Sequence, residues 1–315
     1  MIDTFSGPNV RVHRPLLSII IPVYNRKSDL IVTLQSLAET TDFSYEVIVV
    51  DDGSSDVTDC DVVGTYQRCR LVQKPNGGLA SARNAGISAA QGEYLHFLDA
   101  GDRPITALGD YLLSVVESGC DIAVCSWLKV TNDDVNELHH LREEIDDPVN
   151  LWLQSNVAPV HSYIVRSSFV GSSRFNVTYR YVEDWNFWIR LFLLEPNVKV
   201  FPCFSAIYEV TSDSMSNNRL GMAISCCRTA HEIQKLCSKK FRHRRVKAKS
   251  VERSTYSQLW AYLKERERFD FLGLVKESYR CGFPNAVVGL VSWILHEKCQ
   301  RCLITIMKPF SRTPI

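Results

Sequence analysis

Paired carboxylates are the first feature of this sequence with a chemical use. They occur at three places: Asp51-Asp52, Asp99 with Asp102, and Glu183-Asp184. Acidic side chains in a protected site can accept a hydrogen bond from a ligand N–H, hold a hard divalent cation against a phosphate, or take a proton from an attacking hydroxyl. Groups that could complete a site lie near them in sequence. Tyr24-Asn25 ends the first apolar run, Gly77-Gly78 opens a stretch of small residues that contains Arg83, His161 precedes the run Ser162 to Val165, and Trp185 and Trp188 follow the third acidic pair. Each of these also has an ordinary structural explanation. An Asp-Asp-Gly-Ser can simply cap a turn, and an arginine can pair with any nearby acid. Acidic residues favour a helix N-terminus, a lone histidine is more often hydrogen-bonded structure, and tryptophans at helical spacing are more often core.

The elements that must position these residues alternate. Leu16 to Val23 is a continuous apolar, β-branched run, as expected of a strand buried on both faces of a parallel sheet. Ser28 to Glu39 has helical spacing, with Ser28 as N-cap, and Tyr45 to Val50 is a second buried strand. Ser54 to Asp56 can then cap a short helix. A strand at Arg70 to Gln73, a helix from Gly77 to Ala90, a strand at Tyr94 to Leu98, a helix at Thr106 to Glu117 and a strand at Asp121 to Leu128 continue the rhythm. This predicts an α/β fold, a doubly wound, mostly parallel sheet flanked by helices. Ligands of such sheets bind beyond the carboxyl ends of the strands, where Tyr24-Asn25, Asp51-Asp52 and Asp99 to Asp102 should converge. Asn132 to Asp147 is acidic and irregular, a predicted loop. A strand at Val160 to Val165, a helix at Glu183 to Leu194 and a strand at Val198 to Val210 follow, and helical patterns dominate from Leu220. The expected organisation is one domain over residues 1–218 and a helical C-terminal extension over 219–315.

Five segments carry a family resemblance: PVYN at Pro22 to Asn25, VVDDGSSD at Val49 to Asp56, GGLASARNAGI at Gly77 to Ile87, GEYLHFLDAGD at Gly92 to Asp102 and EDWNFWIRL at Glu183 to Leu191. In this order and at these spacings the set resembles family 2 glycosyltransferases, over roughly Leu16 to Glu209. The resemblance implies a GT-A fold and inverting transfer of a sugar from a nucleotide diphosphate, expected to be UDP, to a hydroxyl of a glycan or lipid-linked saccharide. It implies that Asp52 accepts from uracil N3, that Tyr24 packs on the base with Pro22 shaping the turn, and that Arg83 lies by the nucleotide diphosphate. It further implies Mn2+ or Mg2+ on Asp102 and Asp99, Asp184 as general base with Glu183 as second choice, and an acceptor side near His161 and Trp185. One departure stands out. Similar enzymes carry Asp-x-Asp where this chain reads Asp99-Ala100-Gly101-Asp102, so Gly101 occupies the usual place of the principal metal ligand. That departure motivates a rival, a catalytically silent nucleotide-sugar-binding homologue or partner subunit. A nucleotidyltransferase on a similar sheet would place a Gly-rich basic loop directly after the first strand, where this chain has PVYNRKSD.

Bulk properties set outer limits. The chain has 315 residues, 45% hydrophobic and 23% charged, with a formal net charge of +1, so neither a polyanion binder nor an acidic disordered chain is expected as a whole. Eleven cysteines, an odd number set mostly in apolar runs, fit reduced thiols in a cytoplasm. The runs Leu16 to Val23 and Ala286 to Leu295 are too short to cross a bilayer, and no signal peptide is recognised. Lys235 to Arg253 is dense in Lys and Arg with Glu252 as its one acid, and apolar stretches follow it. Such a segment suits a peripheral contact with the cytoplasmic membrane face, or equally a solvated helix or a dimer contact. No nucleic-acid recognition motif accompanies it.

Overall fold

The computed structural model describes residues 14–293 apart from 40–42, 57–62, 67, 105–107, 132–133, 140, 142–144, 210–214, 216–217, 265–270, 282, 284–285 and 291–292. The body of the short helix expected after Ser54 to Asp56 and part of the apolar stretch Ala286 to Leu295 therefore lie outside the described residues.

The N-terminal strands are β1 (Leu17–Val23), β2 (Tyr45–Asp51), β3 (Cys69–Gln73) and β4 (Tyr94–Phe97), and β1 lies between β2 and β4 with every pairing parallel. All seven β1 residues are buried, which is what a β-branched run in the middle of a parallel sheet achieves. Helix α1 (Lys27–Ala38) joins β1 to β2. It begins one residue earlier than expected, so Ser28 falls in its first turn, and Arg26 holds the cap position without a side-chain bond. Helix α2 (Leu79–Ala89) joins β3 to β4 and lies close against the sheet. A Cβ added at Gly86 would come within 2.3 Å of Ile20 Cγ2, which explains the glycine at this point of the helix.

Helix α3 (Leu108–Ser118) follows a two-residue strand β5 (Arg103–Pro104), and β6 (Ile122–Thr131) comes next. The acidic segment predicted to be a loop contains a strand, β7 (Asp134–His139), which folds back antiparallel on β6. A helix that was not anticipated, α4 (Pro148–Gln154), starts at an Asp147 cap that accepts from Asn150 N–H at 3.0 Å. Asp followed by Pro at the first helical position is a sufficient signal for such a start. The expected strand at Val160 divides into a turn of 3-10 helix (Val160–Ser162) and β8 (Tyr163–Arg166), which runs antiparallel to both β4 and β6. Helix α5 (Glu183–Phe192) and β9 (Val198–Glu209) follow, and among the described residues the sheet has nine strands, ordered β3-β2-β1-β4-β8-β6-β9-β5 with β7 beside β6. The sheet is thus parallel through β4 and mixed beyond it.

Helices α6 (Arg219–Lys239), α7 (Arg245–Lys264) and α8 (Phe271–Arg280) pack on one side. Ile224, Leu259 and Leu274 from these helices share a buried cluster with Ile20, Phe97 and Trp188 of the sheet and α5. Among the described cysteines every thiol is free. In the basic segment Arg244 is turned inward onto Asp147, whereas Lys235, Lys239, Lys240, Arg242, Lys249 and Arg253 are exposed. No described helix is long and apolar enough to cross a membrane.

Candidate active site

The carboxyl ends of β1 and β2 lie side by side, with Val23 opposite Asp51 and Asp52 N–H donating to Val23 O at 2.9 Å. Pro22 is buried within β1 opposite Val50, so its ring fixes the strand end from behind. Tyr24, the next residue out, is 50% exposed and offers an open ring at the rim. The loops after β1 and β2 are stitched together, since Asn25 Oδ1 accepts from Ser55 N–H at 2.7 Å and Asn25 N–H donates to Ser54 Oγ at 3.0 Å. The two neighbouring aspartates divide their labour. Asp51 caps the turn by accepting from Ser54 N–H at 2.9 Å. Asp52 faces the start of α2 instead, accepting from Gly78 N–H at 2.7 Å and from Gly77 N–H at 3.1 Å to each oxygen, with the Lys74 ammonium on Oδ1. Gly53 makes this turn possible: its φ is +79°, and a Cβ there would sit 2.8 Å from Asn76 N.

Five residues beyond Gly78, Arg83 is 1% exposed and ties two distant parts of the chain together. It donates through Nη2 to Asp99 Oδ1 and through Nη1 to Glu183 Oε1, each at 2.7 Å, and its guanidinium lies 5.4 Å over the Phe175 ring. The resemblance puts Arg83 beside a nucleotide diphosphate, but here the guanidinium is enclosed by protein carboxylates. The N–H groups of Gly77 and Gly78 are taken by Asp52, and the arginine is buried between carboxylates. Burial pulls the Arg83 pKa down, but the charges of Asp99, Glu183 and Asp184 outweigh it and hold the guanidinium above its ordinary value. Glu183 goes up to about 7, because burial and then the Asp184 charge outweigh the pull of Arg83. Burial likewise raises Asp184, against the lowering effects of Arg83, Asn156 and the Trp185 N–H. Three carboxylates around one cation leave an excess of negative charge, and a proton is the simplest way to relieve it.

Asp184 keeps both oxygens at the rim. Oδ2 accepts from Asn156 Nδ2 at 2.8 Å and Oδ1 from its neighbour's backbone, Trp185 N–H, at 2.7 Å. The backbone just before the acidic pair is strained. Val182 sits at φ 62°, ψ 22°, a left-handed conformation that a β-branched residue adopts at a cost of about 1–3 kcal/mol. Trp185 does not pave an acceptor subsite as expected. It is 3% exposed, and its indole N–H donates to Trp152 O at 2.8 Å, so no ring face is open. Trp188 is core too, stacked 4.0 Å from Tyr163.

The turn after β4 separates its two aspartates. Gly101 has φ +108°, and this sharp bend carries Asp102 inward rather than to the rim. Asp102 is 4% exposed, accepts from the backbone N–H of Asp99 at 3.3 Å, and has its Oδ2 3.0 Å from His161 Nδ1. Its carboxyl is raised by burial, with His161 pulling it back. His161 is fully buried, so it braces this turn and is not an acceptor-side surface group. Asp99 remains the accessible member, with its side chain 38% exposed and one oxygen on Arg83. Among the described residues no three His, Cys, Asp or Glu side chains gather as a ligand set.

A family model described as Glycosyl transferase family 2 matches residues 18–180, more than half of the chain. The chain belongs to glycosyl transferase family 2. It is 36% identical over 124 residues to the uncharacterized glycosyltransferase EpsJ of Bacillus subtilis, covering 38% of this chain and 36% of EpsJ. It is 38% identical over 150 residues to a validoxylamine A glucosyltransferase of Streptomyces hygroscopicus, covering 44% of this chain and 35% of that one. The chain thus matches only about a third of the length of these two relatives. Its fold is that of the S. aureus TarS 1–349 structure solved with UDP, at a TM-score of 0.62 and 19% identity, covering 88% of this chain and 80% of that one. The GT-A architecture expected from the motifs is therefore present, with its C-terminal helices.

Three residues of this family 2 site were not singled out from sequence. Lys74 is the first, and a lone lysine before Pro75 carries no signal of its own. Asn156, which holds Asp184, follows an unrecognised helix. Val182 shows its strain only in the backbone angles.

Proposed function

We propose that the protein transfers a sugar, with inversion, from a UDP-linked donor to a hydroxyl of a glycan or lipid-linked saccharide. The observation that carries this reading is the double ion pair of Arg83, which fastens the end of β4 at Asp99 to the head of α5 at Glu183. It sets Asp184 beside the strand ends where the nucleotide would lie. Tyr24 offers the base a stacking face and Asp52 an acceptor for its N3–H. Asp184 has two hydrogen bonds on a carboxylate with about four acceptor sites, which leaves room for the acceptor hydroxyl. As that oxygen bonds to the anomeric carbon, its proton passes to Asp184, and the bond from that carbon to the diphosphate oxygen breaks on the opposite face. Asn156 and the Trp185 N–H hold the carboxylate in place throughout.

A divalent cation fits the rim at Asp99, since Mg2+ commonly takes one carboxylate, substrate phosphates and water. When bound there it would neutralise charge on the departing diphosphate. Asp102, committed to His161, supports the turn beneath it. Asp184→Asn tests the assignment: transfer should fall about 10²–10⁴-fold with UDP affinity unchanged. Transfer at the wild-type rate would place the base elsewhere, and UDP binding without turnover of any donor by the wild type would favour the silent homologue.

A further inference from the structure

We infer that Arg228 is a positioning residue for Asp184, holding from α6 the turn that delivers this carboxylate to the rim, so that the C-terminal helices take part in transfer. The inference rests on the reading of Asp184 as the base and adds the device that aims it.

The turn lies between Phe175 and Glu183, and the fold grips it at three points. At its start Asn84 of α2 brackets Phe175, donating from Nδ2 to the Phe175 carbonyl and accepting the Phe175 N–H at Oδ1, each at 2.8 Å. At its end Glu183 is held by Arg83. The grip between these points comes from the C-terminal helices. Arg228 is 7% exposed, and all three of its guanidinium nitrogens are engaged. Nη1 donates to Thr178 O at 2.8 Å and to Cys281 O, just past α8, at 2.9 Å. Nη2 donates to Thr178 Oγ1, and Nε to Glu232 Oε1 at 3.1 Å. The guanidinium carbon sits 3.9 Å from the centre of the Tyr179 ring, whose hydroxyl accepts from Asn186 of α5 at 3.2 Å. At the head of α6, Asn218 Nδ2 donates to the Tyr181 hydroxyl at 2.8 Å, and a Cβ added at Gly221 would come within 2.5 Å of the Tyr181 ring.

This grip bears on the left-handed Val182, which comes directly before the acidic pair. Such a conformation in a β-branched residue persists only where the surroundings over-determine it. Here Thr178 and Tyr181 are fixed on one side of it and Glu183 on the other, so Val182 can unwind only by breaking one of these grips. Asp184, two residues on, thereby stays against Asn156 and the Trp185 N–H. A guanidinium suits this post because its rigid fork reaches two carbonyls and a hydroxyl while its face lies on a ring.

Arg228→Lys tests the inference, since an ammonium keeps the charge beside Glu232 and loses the fork. The variant and the wild type are compared by hydrogen exchange, by calorimetric titration of UDP, and by UDP release from UDP-glucose and UDP-N-acetylglucosamine with an octyl glycoside as acceptor. Exchange across 181–187 should quicken several-fold while that of β1 is unchanged. UDP should bind with the same affinity and stoichiometry, showing that the molecules remain folded. Its release should fall about tenfold, within what a misplacement of about 1 Å can cost. A merely structural role would lower stoichiometry and turnover together. That result, unaltered exchange across 181–187, or turnover at the wild-type rate overturns the inference. If Arg228→Lys does not fold, Thr178→Val removes one partner of the fork, and the same outcomes decide with a loss of several-fold. Where the wild type turns over neither donor, exchange alone decides whether Arg228 holds the turn. Asp184→Asn run alongside keeps the base reading separate: turnover at the wild-type rate by that variant refutes Asp184 as the base, whatever Arg228→Lys does.

Discussion

The two carboxylate groups, at the β1–β2 end and at the head of α5, treat their charge in opposite ways. At the β1–β2 end Asp52 is surrounded by donors: two backbone N–H groups at the start of α2 and the Lys74 ammonium. At the α5 end Asp99, Glu183 and Asp184 share a single guanidinium, and burial drives Glu183 and Asp184 upward. A carboxylate held by several donors keeps its charge and its position, as a fixed recognition group must. Carboxylates short of cations are ready to take up a proton, which is what a base for a hydroxyl requires. One helix serves both ends, since α2 offers Gly78 N–H to Asp52 and, five residues on, Arg83 to Asp99 and Glu183.

The contrast can be broken by substitution at each end. The largest effect is expected for Arg83→Met, which leaves three carboxylates without their cation. Breaking a buried ion pair from one side costs about 3–5 kcal/mol, measurable as a lowered denaturation midpoint. A loss under about 1 kcal/mol would mean that the carboxylates had found protons or water in its place. Next comes Asp52→Asn, which removes the charge from the donor-saturated end. UDP should bind about 1–3 kcal/mol more weakly by calorimetry, while the pH below which transfer falls, set by protonation at the α5 end, stays where it is. A shift of that pH would show that the two ends are not independent.

The last effect is a slope of stability with pH. Glu183 goes from an ordinary value of 4.5 to about 7 in the folded protein, so between those values the folded state holds more protons than the unfolded one. Stability from this group is therefore complete below about pH 4.5 and declines as pH rises through 7. Glu183→Gln should flatten that part of the profile, and an unaltered slope would assign it to other groups.

Much of the fold was legible because its signals are local. Apolar β-branched runs ending in polar turns announce buried parallel strands, and the small residues of Gly77 to Ile87 announce a helix lying close to the sheet. β7 and α4 were not read, since an acidic hairpin strand lacks an apolar pattern and an Asp-Pro start was overlooked. Within the site, Asp52 and Asp99 stand at strand ends, but Asp102 is turned in onto His161 and further expected roles changed with it. Trp185 is core, His161 braces a turn, and Arg83 faces carboxylates.

Those changes mark the division between chain and fold. Residue type and spacing determined that acids, a tyrosine and an arginine would be delivered to the ends of particular strands and helices, because strand and helix periods are local properties of the backbone. Which oxygen meets which donor was decided only when α2, β4 and α5 packed together, bringing Arg83 to Glu183 across 100 residues and Asp102 to His161 across 59. Desolvation follows from that packing, and with it which carboxylates stay open, which are sealed and which hold a proton. None of that is a property of any segment alone.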